Sequence, residues 1–290
     1  MKNDKYQDKY LTVLTSMGFK KVCYREWGSS NNNNVLICVH GLSRNRLDFD
    51  IIAKSLSSHY RILAIDLPGR GNSDWLEDIK DYQYLTSDVN QIPIFHNILT
   101  ALIARSGAVK VDWIGTSMGG LLGIELASKA NNPIRKLVLN DIGPFVGAEG
   151  RAGNAALASA AGTYDTKEDA IQFVLESKKA FGPFTPEVAQ KFAIDSLIRG
   201  DDGKWRLHYD PKIVLGREAK DTNIWGEWNK ISASTLTIWG TESTLLSEST
   251  VEKMKITGPK TEVLSMEGVG HCPGLTSKLE IETITSFLLK

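Results

Sequence analysis

The chain has 290 residues, 42% hydrophobic and 23% charged, the composition of an ordinary globular protein long enough to bury a full core. Lys plus Arg equals Asp plus Glu at 34 each, so bulk charge argues against a nucleic-acid or anionic-membrane partner. The charged start Met1-Lys2-Asn3-Asp4-Lys5 has no apolar stretch behind it, and no apolar run approaches eighteen residues, from which a cytoplasmic, non-exported protein is expected. Its three cysteines, Cys23, Cys38 and Cys272, are an odd number without metal-ligand spacing, and free thiols in a reducing compartment account for them most simply.

Taken in chain order, the runs Leu11-Thr12-Val13-Leu14 and Lys21-Val22-Cys23-Tyr24 predict an antiparallel pair turning near Met17-Gly18. The polar tract Asn31-Asn32-Asn33-Asn34 reads as a loop. Val35-Leu36-Ile37-Cys38-Val39 is a continuous apolar run, typical of a strand covered on both faces. A helix-like stretch over 49–56 precedes a second such run, Arg61-Ile62-Leu63-Ala64-Ile65. Further strands are predicted over 111–114, 137–139, 236–239 and 262–264, with helical patterns between most of them. Strand and helix alternating in this way predict a doubly wound parallel sheet that binds ligands at the carboxyl ends of its strands.

The alternation stops after Pro144. From there to about Lys230 the pattern is helical, over 152–161, 167–181 and 186–198, without buried strands. The expected organisation is therefore a core over 1–144, an inserted helical cap over 145–230, and the rest of the core over 231–290. Trp205, Tyr209, Trp225 and Trp228 either line an apolar pocket in that cap or pack it onto the core.

Gly115-Thr116-Ser117-Met118-Gly119 sits between the strand over 111–114 and the helical pattern of Leu121, Leu122, Ile124, Leu126 and Ala127. The two glycines are expected to allow a very sharp turn that lifts the serine hydroxyl above the sheet edge, making Ser117 the candidate nucleophile. After Val39 comes His40-Gly41-Leu42-Ser43, a turn able to offer the Leu42 amide to an oxyanion, with the Met118 amide as second donor. Gly69-Arg70-Gly71-Asn72-Ser73-Asp74 is no dinucleotide fingerprint, because Asp74 stands where the third glycine belongs and no helix opens there. Asp66 and Arg70 are expected to fix that loop's own backbone. A general base is offered late in the chain by Gly268-Val269-Gly270-His271-Cys272-Pro273, where small neighbours leave room for the imidazole.

These four motifs, H-G, D-x-P-G-x-G-x-S-D, G-x-S-M-G-G and G-x-G-H-x-P, in this order, resemble the α/β-hydrolase superfamily and its capped serine hydrolases of the esterase and C–C hydrolase type. The resemblance implies an α/β fold: a mostly parallel, twisted eight-stranded sheet flanked by helices, with an inserted helical cap. It implies hydrolysis of a small carboxylic ester or related acyl compound through a triad and an acyl-enzyme, with no cofactor and no metal. One departure stands out. Where the family pattern places an aspartate after the Trp239-Gly240 strand end, this chain reads Thr241-Glu242-Ser243-Thr244-Leu245-Leu246. Some members carry the acid after the preceding strand, here Asn140-Asp141-Ile142, so Asp141 is the expected acid and Glu242 the alternative.

A serine at the elbow sets the chain apart from the haloalkane dehalogenases and epoxide hydrolases, which use aspartate there. The same triad also serves C–C bond and amide hydrolysis, and the missing acid keeps a catalytically silent ligand-binding relative in view. Candidate substrate contacts are His40, Trp205, His208 and Trp225, and Arg199, Arg206 or Arg217 would suit a carboxylate. The expected partner is a small acyl or ester substrate, neither a nucleic acid nor a membrane.

Overall fold

A computed structural model describes residues 6–85, 92–160, 162–215 and 220–290; residues 1–5, Ala161 and Arg217 lie outside these. The chain begins with an antiparallel ribbon of β1 (Tyr6–Thr15) and β2 (Gly18–Trp27). Leu11, Val13 and Thr15 of β1 are buried while Thr12 and Leu14 face solvent, the alternation of a strand with one face on the core. β3 (Val35–Val39) is buried at all five positions. Its odd-numbered residues join one hydrophobic cluster and its even-numbered ones another, so apolar layers cover both faces. α1 (Asp50–Leu56), β4 (Arg61–Ile65), α2 (Ile94–Ser106), β5 (Val111–Thr116), α3 (Met118–Ala127) and β6 (Ile134–Asn140) continue the alternation.

An insert follows, with β7 (Phe145–Val146), α4 (Ala148–Ser159), β8 (Thr163–Tyr164), α5 (Lys167–Ser177), α6 (Pro186–Asp195), β9 (Leu197–Arg199), β10 (Trp205–Leu207), β11 (Thr222–Asn223) and α7 (Trp225–Trp228). The chain then returns to the sheet through β12 (Ser234–Gly240), α8 (Glu248–Ile256), β13 (Glu262–Met266) and α9 (Lys278–Leu289). The eight-stranded sheet has the order β1-β2-β4-β3-β5-β6-β12-β13, antiparallel at β1 and β2 and parallel from β4 onward. The carboxyl ends of β3, β5, β6 and β12, on adjacent strands, therefore share one edge.

The insert differs from the purely helical expectation. α4, α5 and α6 overlap the predicted helices, but a three-stranded sheet, β8-β10-β9, and a β11-β7 pair accompany them. These strands are two or three residues long, too short to give a period-two signal. Two of the four aromatics are buried in packing: the Tyr209 hydroxyl donates to Ala158 O at 2.7 Å, and the indole N–H of Trp228 donates to Thr257 O at 3.1 Å. Among the described residues no helix is long and apolar enough to cross a membrane, and all three cysteines are buried and outside any disulfide.

Candidate active site

β5 enters α3 through Ser117, whose backbone sits at φ 51° and ψ −114°, a conformation that a non-glycine residue keeps only when its surroundings impose it. Ser117, not its glycine neighbours, carries the strain of the turn. Gly115 and Gly119 supply space instead: a Cβ on Gly115 would stand 2.3 Å from Gly119 O, and one on Gly119 only 2.0 Å from Val39 O. Such separations let the turn nest against the end of β3. The Ser117 amide donates to Asn140 O at 3.0 Å, tying the turn to the end of β6.

His271 lies on the loop between β13 and α9. Its Nε2 is 3.0 Å from Ser117 Oγ and its Nδ1 is 2.6 Å from Asp141 Oδ2. A carboxylate oxygen accepts, so Nδ1 carries the hydrogen, and in the neutral ring Nε2 presents its lone pair to the serine hydroxyl. Asp141 follows β6 directly, fully buried and at φ 53°, with its amide donating to Ile238 O of the adjacent strand at 2.8 Å. Its carboxylate also accepts the Gly240 amide at 2.9 Å and the Ser243 hydroxyl at 2.6 Å. Ser243, which stands where an acid is missing after β12, thus serves Asp141 as a donor. Glu242 is exposed, and its amide is engaged with Val269 O at 2.9 Å. The structure brings Ser117, His271 and Asp141 into one hydrogen-bonded chain and leaves Glu242 outside it.

The loop after β3 lies alongside: a Cβ on Gly41 would meet Ser117 Cβ at 3.5 Å. Met118 opens α3, so its amide has no partner within the helix. Fully buried Arg70 reaches both oxyanion candidates. Its guanidinium donates to Leu42 O at 2.9 Å and to Pro68 O at 2.8 Å, with one nitrogen 3.8 Å from Met118 Sδ. Arg70 thus goes beyond the expected role of bracing its own loop. Asp66 does the same: within its own loop it accepts the Asn72 amide at 2.9 Å, and it also ties that loop to the segment after β3 by accepting the Arg46 amide at 2.7 Å and pairing with the Arg46 guanidinium. Burial pushes the Asp66 carboxyl up, against the pull of Arg46.

A cavity of about 150 Å³ opens over Ser117, bounded by Leu42 and Met118. Leu121, Ile142, Val146 and Leu245 give it apolar walls, and Tyr84, Arg151, Asn154 and Thr222 give it polar ones. None of the four residues expected to touch substrate lines it. His40 is fully buried with both ring nitrogens engaged: Nδ1 lies 2.7 Å from Gly41 O, and Nε2 accepts the Leu67 amide at 3.0 Å. Burial drives its pKa down to about 3, so the ring is a neutral brace for the turn.

Trp205 lies beneath the Lys167 ammonium and Trp225 beneath that of Lys253. His208 is held in the insert by its amide, which donates to Ser196 O at 2.8 Å, and burial lowers its pKa to about 4. Nor do Arg199 and Arg206, both considered for a carboxylate, reach the cavity: Arg199 donates to Gly203 O at 2.9 Å and Arg206 pairs with Asp202, both local to the β9–β10 hairpin. Sequence reasoning missed Arg151 and Asn154. The available signal was two polar residues three apart, hence on one helix face, in a run otherwise of alanine and glycine.

A model of the alpha/beta hydrolase family matches residues 36–280. A 3-hydroxybutyrate-oligomer hydrolase of Cupriavidus necator is 32% identical over 289 aligned residues, which cover 96% of each chain. Among solved structures, one from Rickettsia typhi superposes with a TM-score of 0.88 at 31% identity, over 98% of this chain and 99% of its own. An alpha/beta hydrolase from Novosphingobium aromaticivorans gives a TM-score of 0.84 at 28% identity, over 98% of both.

Proposed function

The chain belongs to the alpha/beta hydrolase family and is a hydrolase, and from that premise we propose that it cleaves short hydroxyacid esters through an acyl-enzyme on Ser117. His271 takes the hydroxyl proton as Ser117 Oγ attacks the ester carbonyl. The oxyanion that forms is received by the Leu42 and Met118 amides. Asp141 holds the ring in the tautomer with hydrogen on Nδ1 and offsets the positive charge the ring gains in the transition state. The imidazolium then gives its proton to the departing alkoxide, and a water activated by the same ring releases the acid.

The observation that carries this reading is the hydrogen-bonded chain from Ser117 Oγ through His271 to Asp141, at 3.0 and 2.6 Å, at the sheet edge where ligands bind in such folds. The residues of the insert act as a cap, with α4 forming one wall of the cavity. The substrate class draws support from the Cupriavidus relative, named for 3-hydroxybutyrate oligomers and aligned along nearly its whole length. Ser243 and the Gly240 amide both donate to Asp141, so the displaced acid has a complete set of partners, which speaks against a silent relative.

The test is to treat the purified protein with a fluorophosphonate, map the label, and assay the 3-hydroxybutyrate dimer beside a matched amide and a β-diketone. Labelling confined to Ser117, with repeated turnover of the ester that Ser117→Ala abolishes, is the expected result. A folded protein that neither labels nor turns over any ester refutes the reading.

A further inference from the structure

The cavity over Ser117 is walled mainly by apolar side chains, yet among the described residues one permanent cation reaches it. Arg151 stands in the first turns of α4 (Ala148–Ser159), half-buried, and lines the same cavity as the nucleophile candidate. One N–H of its guanidinium donates to Lys220 O at 2.7 Å, which fixes the side chain without neutralising it. Among the described residues no carboxylate pairs with it. The nearby acid, Asp221, is instead engaged by the Ala148 amide at 2.8 Å. A guanidinium carries five donors in a planar fork that matches a carboxylate, and an arginine half-withdrawn from water, with no anionic partner among the described residues, is poised to gain from one.

We propose that Arg151 binds the free carboxylate of the substrate, so that the enzyme takes hydroxyacid oligomers by their carboxyl end. This rests on the hydrolase reading above and adds to it a direction of cleavage. With the ester carbonyl at Ser117 and the terminal carboxylate on Arg151, the carboxyl-terminal unit is the alcohol half of the scissile ester. It leaves as a hydroxyacid, taking the proton from His271, while the remainder stays on Ser117 as the acyl group until water releases it. Asn154, three residues on along the same face of α4, supplies an amide beside the clamp. Leu121, Ile142, Val146 and Leu245 cover the hydrocarbon between the two polar ends.

The experiment compares the 3-hydroxybutyrate dimer as its free acid and as its methyl ester, with wild-type protein, Arg151→Gln and Arg151→Lys. Wild type should prefer the free acid. Arg151→Gln should lose roughly ten- to hundredfold in kcat/KM on the acid, mostly through KM, with a much smaller loss on the ester. Arg151→Lys should recover part of the loss. Equal losses on both substrates in a variant of unchanged melting temperature, or no wild-type preference for the acid, overturn the proposal.

Calorimetric binding of the dimer acid to Ser117→Ala and to the Ser117→Ala, Arg151→Gln double variant separates this from the hydrolase reading. Affinity that disappears with Arg151 upholds the clamp even where no turnover is found. Equal affinity in the two proteins refutes it even where turnover is fast.

Discussion

At the scale of single residues, the feature with the widest consequence is the setting of Asp141. Three donors converge on its carboxylate, from His271, Gly240 and Ser243, whereas Glu242, the other acid considered, is exposed. An amide at position 141 would turn an NH₂ toward a ring nitrogen that must itself donate, favouring the wrong tautomer. Asp141→Asn should accordingly lower kcat by about 10⁴ while leaving the circular dichroism spectrum unchanged. Glu242→Gln should keep wild-type rates. Steady-state kinetics of the two variants checks both, and the opposite pattern would make Glu242 the acid.

At the scale of elements, the strand-to-helix turn is where packing and chemistry meet. A Cβ on Gly119 would press on Val39 O at 2.0 Å, a methyl against a main-chain oxygen that no rotamer change relieves. α3 would have to back away from β3 and carry the Met118 amide with it. Gly119→Ala should cost about 1–3 kcal/mol of stability, the usual range for an overpacked core, and should reduce kcat more than it raises KM. Gly153, within α4, has nothing within 4 Å of the place a Cβ would occupy, so Gly153→Ala should be neutral or stabilise by up to about 1 kcal/mol. Urea unfolding of the pair measures the contrast. Arg70 belongs to the same scale, since it ties the loop after β4 to the Leu42 carbonyl and to Met118.

For the whole molecule, three histidines contribute to the response to acid: His40 and His96, which are buried, and His208, which is half-buried. Burial lowers His40 to about 3, His96 to about 4 and His208 to about 4, and among the described residues neither ring nitrogen of His96 has a hydrogen-bond partner. Each folded pKa lies below the unfolded value of about 6.5. Between these values the unfolded chain binds protons that the folded chain does not, so stability rises with pH across the window. It is fully present above about pH 6.5 and is lost as the pH falls toward 4. Unfolding free energies at pH 7.5 and pH 5 should differ in that direction, and His96→Leu should reduce the difference. A wild-type protein equally stable at both would contradict it.

Much of the fold is written locally. Runs such as 35–39 and 61–65 are apolar at nearly every position because both faces of a parallel strand are covered, and that demand is visible without knowing what covers them. The turn motifs are local for the same reason: a strand ending in a glycine-flanked serine is a short-range feature, as are H-G after β3 and G-x-G-H-x-P after β13. The contacts that join them are not, for the bonds from His271 to Ser117 and to Asp141 span 154 and 130 residues. Asp141 and Glu242 follow adjacent strands, paired at Asn140 and Ile238, and periodicity cannot tell which side chain turns toward the histidine. Nor can it tell an aromatic that packs, like Trp228, from one that lines a cavity, or separate Arg151 from arginines spent on a hairpin. The pattern of a sequence records that a face is buried, whereas what lies across from that face is decided by how distant segments meet.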